Sequence, residues 1–243
     1  MNGLFITATD TDIGKTMLTG AIAAALKARS INVGVFKPLA SGAVRQEDGT
    51  LLAEDATFLL RASGMSEAMR HEVNQVALEP ALTPAVAAKV SNVVINLPKV
   101  IQNMQKTMHK YEFVLVEGVG GLISPLWDDY LLADMMLELN LPALLVSKPR
   151  LGAINHTVLS ASYAKQRGIR LDGVILNRWE ENIAGILETT NIEYIERLTG
   201  LPIVGKFPML AEGQKVAVDK LSLLAERYLD IDKIITIGVA CNE

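Results

Sequence analysis

The chain has 243 residues, half of them hydrophobic and only 5% aromatic, which suits one large α/β domain or two small ones and leaves enough aliphatic side chains for a sizeable core. A net charge of -4 and a pI of about 5.5 argue against nucleic acid or a membrane surface as the main partner, because both recruit clustered Lys and Arg; no apolar run approaches the ~20 residues of a membrane helix. Cys241 is the only cysteine and the N-terminus carries no basic segment with a small-residue cleavage site, so the expectation is a reducing, cytoplasmic setting without an intrachain disulfide.

The first element is the strand pattern "GLFITA" (3–8), and "KTMLTGAIAAALKARS" (15–30) reads as a helix rich in Ala and Leu. Between them lies "TATDTDIGKT" (7–16). Its last three residues look like the end of a phosphate-binding loop, but the usual G-x-x-x-x-G-K-[ST] spacing would need glycine where Thr9 stands. A strand-loop-helix turn nevertheless aims backbone N–H groups at an anion. Gly14 admits a close phosphate, Lys15 reaches the β- and γ-phosphates, and Thr16 suits Mg²⁺. Chance explains "GKT" alone; the flanking elements and the acids further along favour a nucleotide.

"NVGVFKP" (32–38) is a second strand, whose end brings Lys37 and then Ser41 to the same edge. Lys37 there can neutralise a transferring phosphoryl group, or be a solvated surface lysine if its strand lies far from the loop. "LLAEDATFLLRASG" (51–64) is helical and places Asp55 near a helix start, where a carboxylate also serves simply to complement the helix dipole. "LPKVIQNMQKTMHK" (97–110) is an amphipathic helix feeding the strand "FVLVEG" (113–118). Glu117 follows four apolar residues and precedes a turn with Gly118, Gly120 and Gly121, so the acid needs a partner, and a metal-linked nucleotide would supply one. Then come a helix (131–140), a strand (141–147), the segment "LGAINH" (151–156), a helix (154–168), the strand "LDGVILN" (171–177) and the strand "LPIVGKFP" (201–208). This alternation predicts an α/β fold with a mostly parallel sheet, helices on both faces and a P-loop NTPase-like plan. No linker or repeat divides the chain, so residues 1–243 are read as one domain; the tail from about 226 is an extra edge strand, a packing arm across an oligomer interface, or disordered.

Together, "TDTDIGKT", "FKPLASG", "EDATFLL", "VLVEGVGG", "LGAINH" and "GVILN" resemble the dethiobiotin synthetase family in order and spacing across most of residues 1–210. In that family the loop is one position longer and its first glycine sits where this chain has Ala8; the acid at Asp12 is often Glu. The resemblance implies that 7,8-diaminononanoate, CO₂ and ATP give dethiobiotin, ADP and phosphate through a carbamate and a mixed anhydride, with Mg²⁺ as the metal. Lys37, Lys15 and Thr11 would be catalytic. Asp12, Ile13, Gly14, Lys15, Thr16, Met17, Asp55, Glu117, Gly118, Val119, Gly120, Asn177, Arg178, Pro208, Met209 and Leu210 would bind ATP, with Thr16, Asp55 and Glu117 around the metal. Asn177 would read the adenine edge, although a strand-end asparagine is also a common turn former. Ser41 and the helix start Gly152, Ala153, Ile154 and Asn155 would bind the substrate, the latter group from the partner of a homodimer; His156 is read as capping or packing. Two rivals share the loop. An amide synthetase of the cobyrinate class would usually add a glutaminase domain with a Cys nucleophile, and a partitioning ATPase commonly has a second lysine early in the loop, where this chain has none before Lys15.

Overall fold

The computed structural model describes residues 1–210 and 217–239. Six parallel strands form the central sheet: β1 (Gly3–Ala8), β2 (Val33–Phe36), β3 (Phe113–Glu117), β4 (Ala143–Ser147), β5 (Leu171–Trp179) and β6 (Ile203–Pro208), in the spatial order β6-β5-β4-β1-β3-β2. The strands read as unbroken aliphatic runs because both of their faces are buried. Leu4, Ile6 and Ala8 of β1 enter one core while Phe5 enters the other; Leu115 and Val116 of β3 divide in the same way.

Helices α1 (Lys15–Ala28) and α2 (Glu54–Ser63) cover the first face, and α3 (Leu97–Met108), α4 (Leu132–Leu139), α5 (Ala153–Arg167) and α6 (Ile186–Thr199) cover the second. The mostly parallel sheet with helices on both faces is therefore as the alternating pattern predicts. Boundaries differ by a few residues. The first helix stops at Ala28, just before the chain turns through Ser30 at φ 62°. The second strand stops at Phe36, so Lys37 lies just past it; Leu39–Ser41 instead pairs in parallel with Val76–Leu78 as a small separate ribbon. Helix α6 and the short helix Pro84–Val90 lie in stretches the sequence pattern left unassigned.

Because all six strands are parallel, their carboxyl ends share one edge. The chain leaves β1, crosses to β2 at the sheet margin and returns to place β3 between them, while β4 lies on the other side of β1. The loop after β1 thus opens where successive connections run to opposite sides of the sheet, which is where such folds bind ligands.

The tail is neither an edge strand nor disordered over its described part. Residues Val218–Tyr228 (α7) and Ile231–Val239 (α8) are helices, and Leu221, Ala225, Ile231 and Ile234 are buried in the first core. Their spacing of three and four residues is helical, which the short apolar run disguised. α7 packs along α1, α8 reaches β1, and a single bridge joins Leu229 to Gly205. The arm packs on its own chain here; Cys241 and the last residues of the tail lie outside the described residues. Ile234 is fully buried whereas Val239 is 43% exposed. Ile234→Ala should therefore lower the unfolding free energy by about 2–4 kcal/mol, and Val239→Ala by less than about 0.5, measured by denaturant unfolding. A negligible effect of Ile234→Ala would mean that the tail does not belong to the core.

Candidate nucleotide-binding active site

Ala8 is still strand. It pairs with Val146, its φ is not positive and its methyl group is buried in the first core, so the position that is glycine in the resembled family needs no glycine in this chain. The turn itself happens later, with Asp12 at φ 52° and Gly14 at φ 92°. Gly14 is required twice over: its φ is left-handed, and a Cβ there would lie 2.2 Å from Asn177 Nδ2. Gly14 caps α1 without any side-chain hydrogen bond. Among the described residues, no acceptor takes the backbone N–H groups of residues 12–16. A run of free N–H groups at the start of a 14-residue helix attracts anions.

Below this loop four side chains form a knot around two buried ones, Lys37 and Glu117, with Thr16 and Asp55 half-buried at its margin. Thr16 Oγ1 donates to Glu117 Oε1 at 2.6 Å. Lys37 Nζ donates to the same oxygen at 2.6 Å and to Thr16 Oγ1 at 3.4 Å, and it forms an ion pair with Asp55. Lys37 is 5% and Glu117 1% exposed. Burial alone would push the Lys37 ammonium toward its neutral form, but Glu117 and Asp55 outweigh it and hold its pKa above the ordinary lysine value. The surface alternative for Lys37 is thereby excluded. The second oxygen of Glu117, Oε2, is buried with no hydrogen-bond partner among the described residues.

Lys15 lies nearby with the opposite balance. Among the described residues its Nζ donates only to the Asp10 carbonyl, at 3.3 Å, and burial lowers its pKa despite Glu117. An incoming polyphosphate would supply the missing counter-charge. The glycine-rich turn after β3 packs on the loop: a Cβ at Gly121 would lie 3.2 Å from the Ala8 carbonyl oxygen, Gly120 turns at φ 69°, and Val119 packs into the second core.

At the end of β5, Asn177 Nδ2 donates to Ile13 O at 2.6 Å and Arg178 Nη2 to Asp12 O at 3.1 Å. Asn177 is thus tied to the phosphate loop, a contact the sequence reading did not anticipate. Pro208 pairs with Trp179, and Met209 N donates to Trp179 O at 3.3 Å, so residues 208–210 follow the same edge. Ser41 is half-buried on its ribbon, and Gly152 to Asn155 open α5; no hydrogen bond among the described residues joins either group to the knot. His156 does not cap α5, whose N-cap is Gly152 without a side-chain bond; its ring packs against Gly152 and faces a small cavity shared with Thr9, Asp10, Lys148 and Arg150. Lys148 and Arg150 were missed in the sequence because neither belongs to a recognised motif. Burial lowers the Lys148 pKa, and the nearby Arg178 and Arg150 add to the effect.

Among the described residues, no three His, Cys, Asp or Glu side chains come together as a metal site. Thr16, Asp55 and Glu117 are nevertheless hard oxygen donors gathered around one cationic group, and Glu117 Oε2 is spare. That set fits Mg²⁺, which takes few protein ligands and completes its shell with water and phosphate oxygens.

A family described as an AAA domain matches residues 2–216. Proteins named ATP-dependent dethiobiotin synthetase BioD from Bacillus licheniformis and Bacillus subtilis are each 37% identical over 218 residues, covering 90% of this chain and 90% and 92% of theirs. A ParA family ATPase from Chlorobium tepidum is 15% identical with a TM-score of 0.58, covering 99% of this chain and 98% of that one. The MinD cell division protein of Aquifex aeolicus is 18% identical with a TM-score of 0.53, covering 98% and 95%. At those identities the two structures establish the fold alone.

The two lysines predict opposite stability changes in the ligand-free protein. Lys15→Met removes an ammonium that burial disfavours and should raise the thermal midpoint. Lys37→Met takes from buried Glu117 the cation hydrogen-bonded to it, leaving only Lys15, which is not within ion-pair distance, and should cost about 3–5 kcal/mol, unless the carboxyl takes up a proton. Equal shifts in the same direction, read by thermal unfolding, would contradict this electrostatic account.

Proposed function

The chain belongs to the ATP-dependent dethiobiotin synthetases, and from that premise we propose how its residues divide the work. The reaction closes 7,8-diaminononanoate and CO₂ into dethiobiotin, converting ATP to ADP and phosphate. The observation that carries this reading is the knot of Thr16, Lys37, Asp55 and Glu117, centred on the buried Lys37–Glu117 pair, beneath a loop of free N–H groups.

One substrate amine adds to CO₂ and loses a proton, giving a carbamate. Its oxygen is a poor leaving group, so it attacks the γ-phosphorus and ADP departs. The second amine then attacks the carbonyl carbon of the mixed anhydride, the bond from that carbon to the phosphate oxygen breaks, and the cyclic urea closes with loss of a proton. The N–H groups from Asp12 to Thr16, with Met17 beside them, cradle the phosphates, and Lys15 gains in them the partner its burial leaves wanting. Thr11 stands at the carbamate. Lys37 turns from its carboxylates to the transferring group, where positive charge is worth most in a water-poor site. Thr16, Asp55 and Glu117 would hold Mg²⁺, which when bound neutralises charge on the triphosphate oxygens. Gly118, Val119 and Gly120 run along the nucleotide. Asn177 reads the base between Pro208, Met209 and Leu210, and Ser41 holds the diamine.

The carboxylate end of the substrate goes to the helix start Gly152 to Asn155 of a second copy, where the N–H groups of Gly152, Ile154 and Asn155 have no acceptor among the described residues and that of Ala153 donates to Arg150 O at 2.9 Å. What supports this placement is the poor burial of α5 within its own chain. Only Ala153, Thr157 and Ala164 are buried, while Leu151 is 85% and Leu159 61% exposed. An isologous homodimer would cover that face and complete both sites.

Phosphate release should require the diamine and CO₂ together; equal ATP hydrolysis without them would point to an ATPase switch instead. Lys37→Ala should lower kcat by about 10² or more while ATP affinity changes less. Mixing Lys37→Ala chains with chains disabled at 152–155 should restore part of the activity, because some mixed dimers carry one intact site. Heterodimers that form without any recovery would mean that each chain binds its substrate alone.

A further inference from the structure

We propose that Arg178 is a positioning residue for the phosphate loop: it holds the Asp12 carbonyl so that the next N–H groups face the nucleotide's phosphates. The inference rests on the reading of residues 12–16 as the triphosphate site. Two adjacent residues at the end of β5 grip two adjacent carbonyls of the loop, Arg178 on Asp12 O at 3.1 Å and Asn177 on Ile13 O at 2.6 Å. Every described peptide bond is trans. In a trans peptide the carbonyl and the following N–H point in opposite directions. Holding the Asp12 and Ile13 carbonyls on β5 therefore turns the N–H groups of Ile13 and Gly14 away from it. Neither N–H has an acceptor among the described residues, so both are left open for an anion.

The backbone at Arg178 is built around this contact. Its φ is 64°, in the left-handed region that residues with a Cβ rarely adopt, and the register of β5 against β6 breaks between Asn177 and Trp179. A break of this kind re-aims a side chain at the end of a strand. On the receiving side Asp12 is also left-handed, at φ 52°. An external hydrogen bond to its carbonyl holds a conformation that the residue does not favour by itself. Asn177 faces the base in the proposed function and grips Ile13 here, so the pair ties the base end of the site to the phosphate end through one strand terminus.

The test uses full-length Arg178→Ala and Arg178→Lys proteins. Titration calorimetry with Mg·ADP, inorganic tripolyphosphate and adenosine separates the possible roles. Expected for Arg178→Ala is a loss of about three- to tenfold for ADP and for tripolyphosphate, with adenosine unchanged and partial recovery in Arg178→Lys. Loss for adenosine and ADP with tripolyphosphate unaffected would make Arg178 a base contact and overturn the proposal; no loss would overturn it as well. A direct bond from Arg178 to phosphate gives the same affinity pattern, so amide spectra of the ligand-free proteins decide. A held loop predicts that the Ile13 and Gly14 amide signals move in Arg178→Ala before any ligand is added, and unmoved signals would refute it. Wild-type protein that binds neither ADP nor tripolyphosphate would defeat the triphosphate reading, while the amide spectra would still judge the hold of Arg178 on the loop. If Arg178→Ala does not fold, Arg178→Gln carries the same measurements.

Discussion

The Lys37 ammonium, buried against Glu117 and beside Asp55 and Thr16, is the interaction around which the site is organised. A buried carboxylate at the end of a strand is costly unless a counter-charge meets it. Here one lysine meets two acids from two different connections, and the hydroxyl of the first helical turn shares the same Glu117 oxygen. Two strand ends and the starts of α1 and α2 are thus locked to one point. The remaining oxygen of Glu117 and the under-compensated Lys15 are what the ligand-free protein leaves unsatisfied, one an acceptor and one a cation. In the proposed function a metal-linked polyphosphate would meet both needs.

That arrangement depends on the sheet being parallel. Parallel strands deliver every following loop to one edge, and the position of β1 between β3 and β4 leaves the loop after β1 open between its neighbours. The same edge receives Asn177, Arg178 and residues 208–210 from β5 and β6. The two cores above and below the sheet keep these ends in register, and the C-terminal helices belong to one of them. Stability and site geometry are therefore linked through the same strands.

The loop itself shows how backbone conformation replaces sequence pattern. A shorter loop would need its glycine early; this one keeps Ala8 in the strand and turns through Asp12 and Gly14 instead. Gly14 answers to Asn177, which is 163 positions away, because the carboxamide occupies the space a Cβ would take. The left-handed residues are held from outside the loop, by the end of β5, and not by local turn chemistry alone.

Much of this was legible in the sequence. The aliphatic runs and helical stretches gave the alternation and hence the parallel sheet, since both signals are local: an unbroken apolar run for a strand buried on both faces and a 3.6-residue period for a helix. "GKT" after a strand, an acid after four apolar residues and a lysine at a strand end gave the site's ingredients for the same reason. The helical tail was missed because its short apolar run hides the spacing of three and four residues, and packing on α1 and β1 decides its form. The meeting of Thr16 with Glu117, 101 positions apart, and of Lys37 with Glu117, 80 positions apart, was decided by strand order, on which local pattern is silent. So was the hold of Asn177 and Arg178 on the loop: composition and spacing determine which elements form and which chemistry they carry, but which ends touch follows only when the strands have found their neighbours.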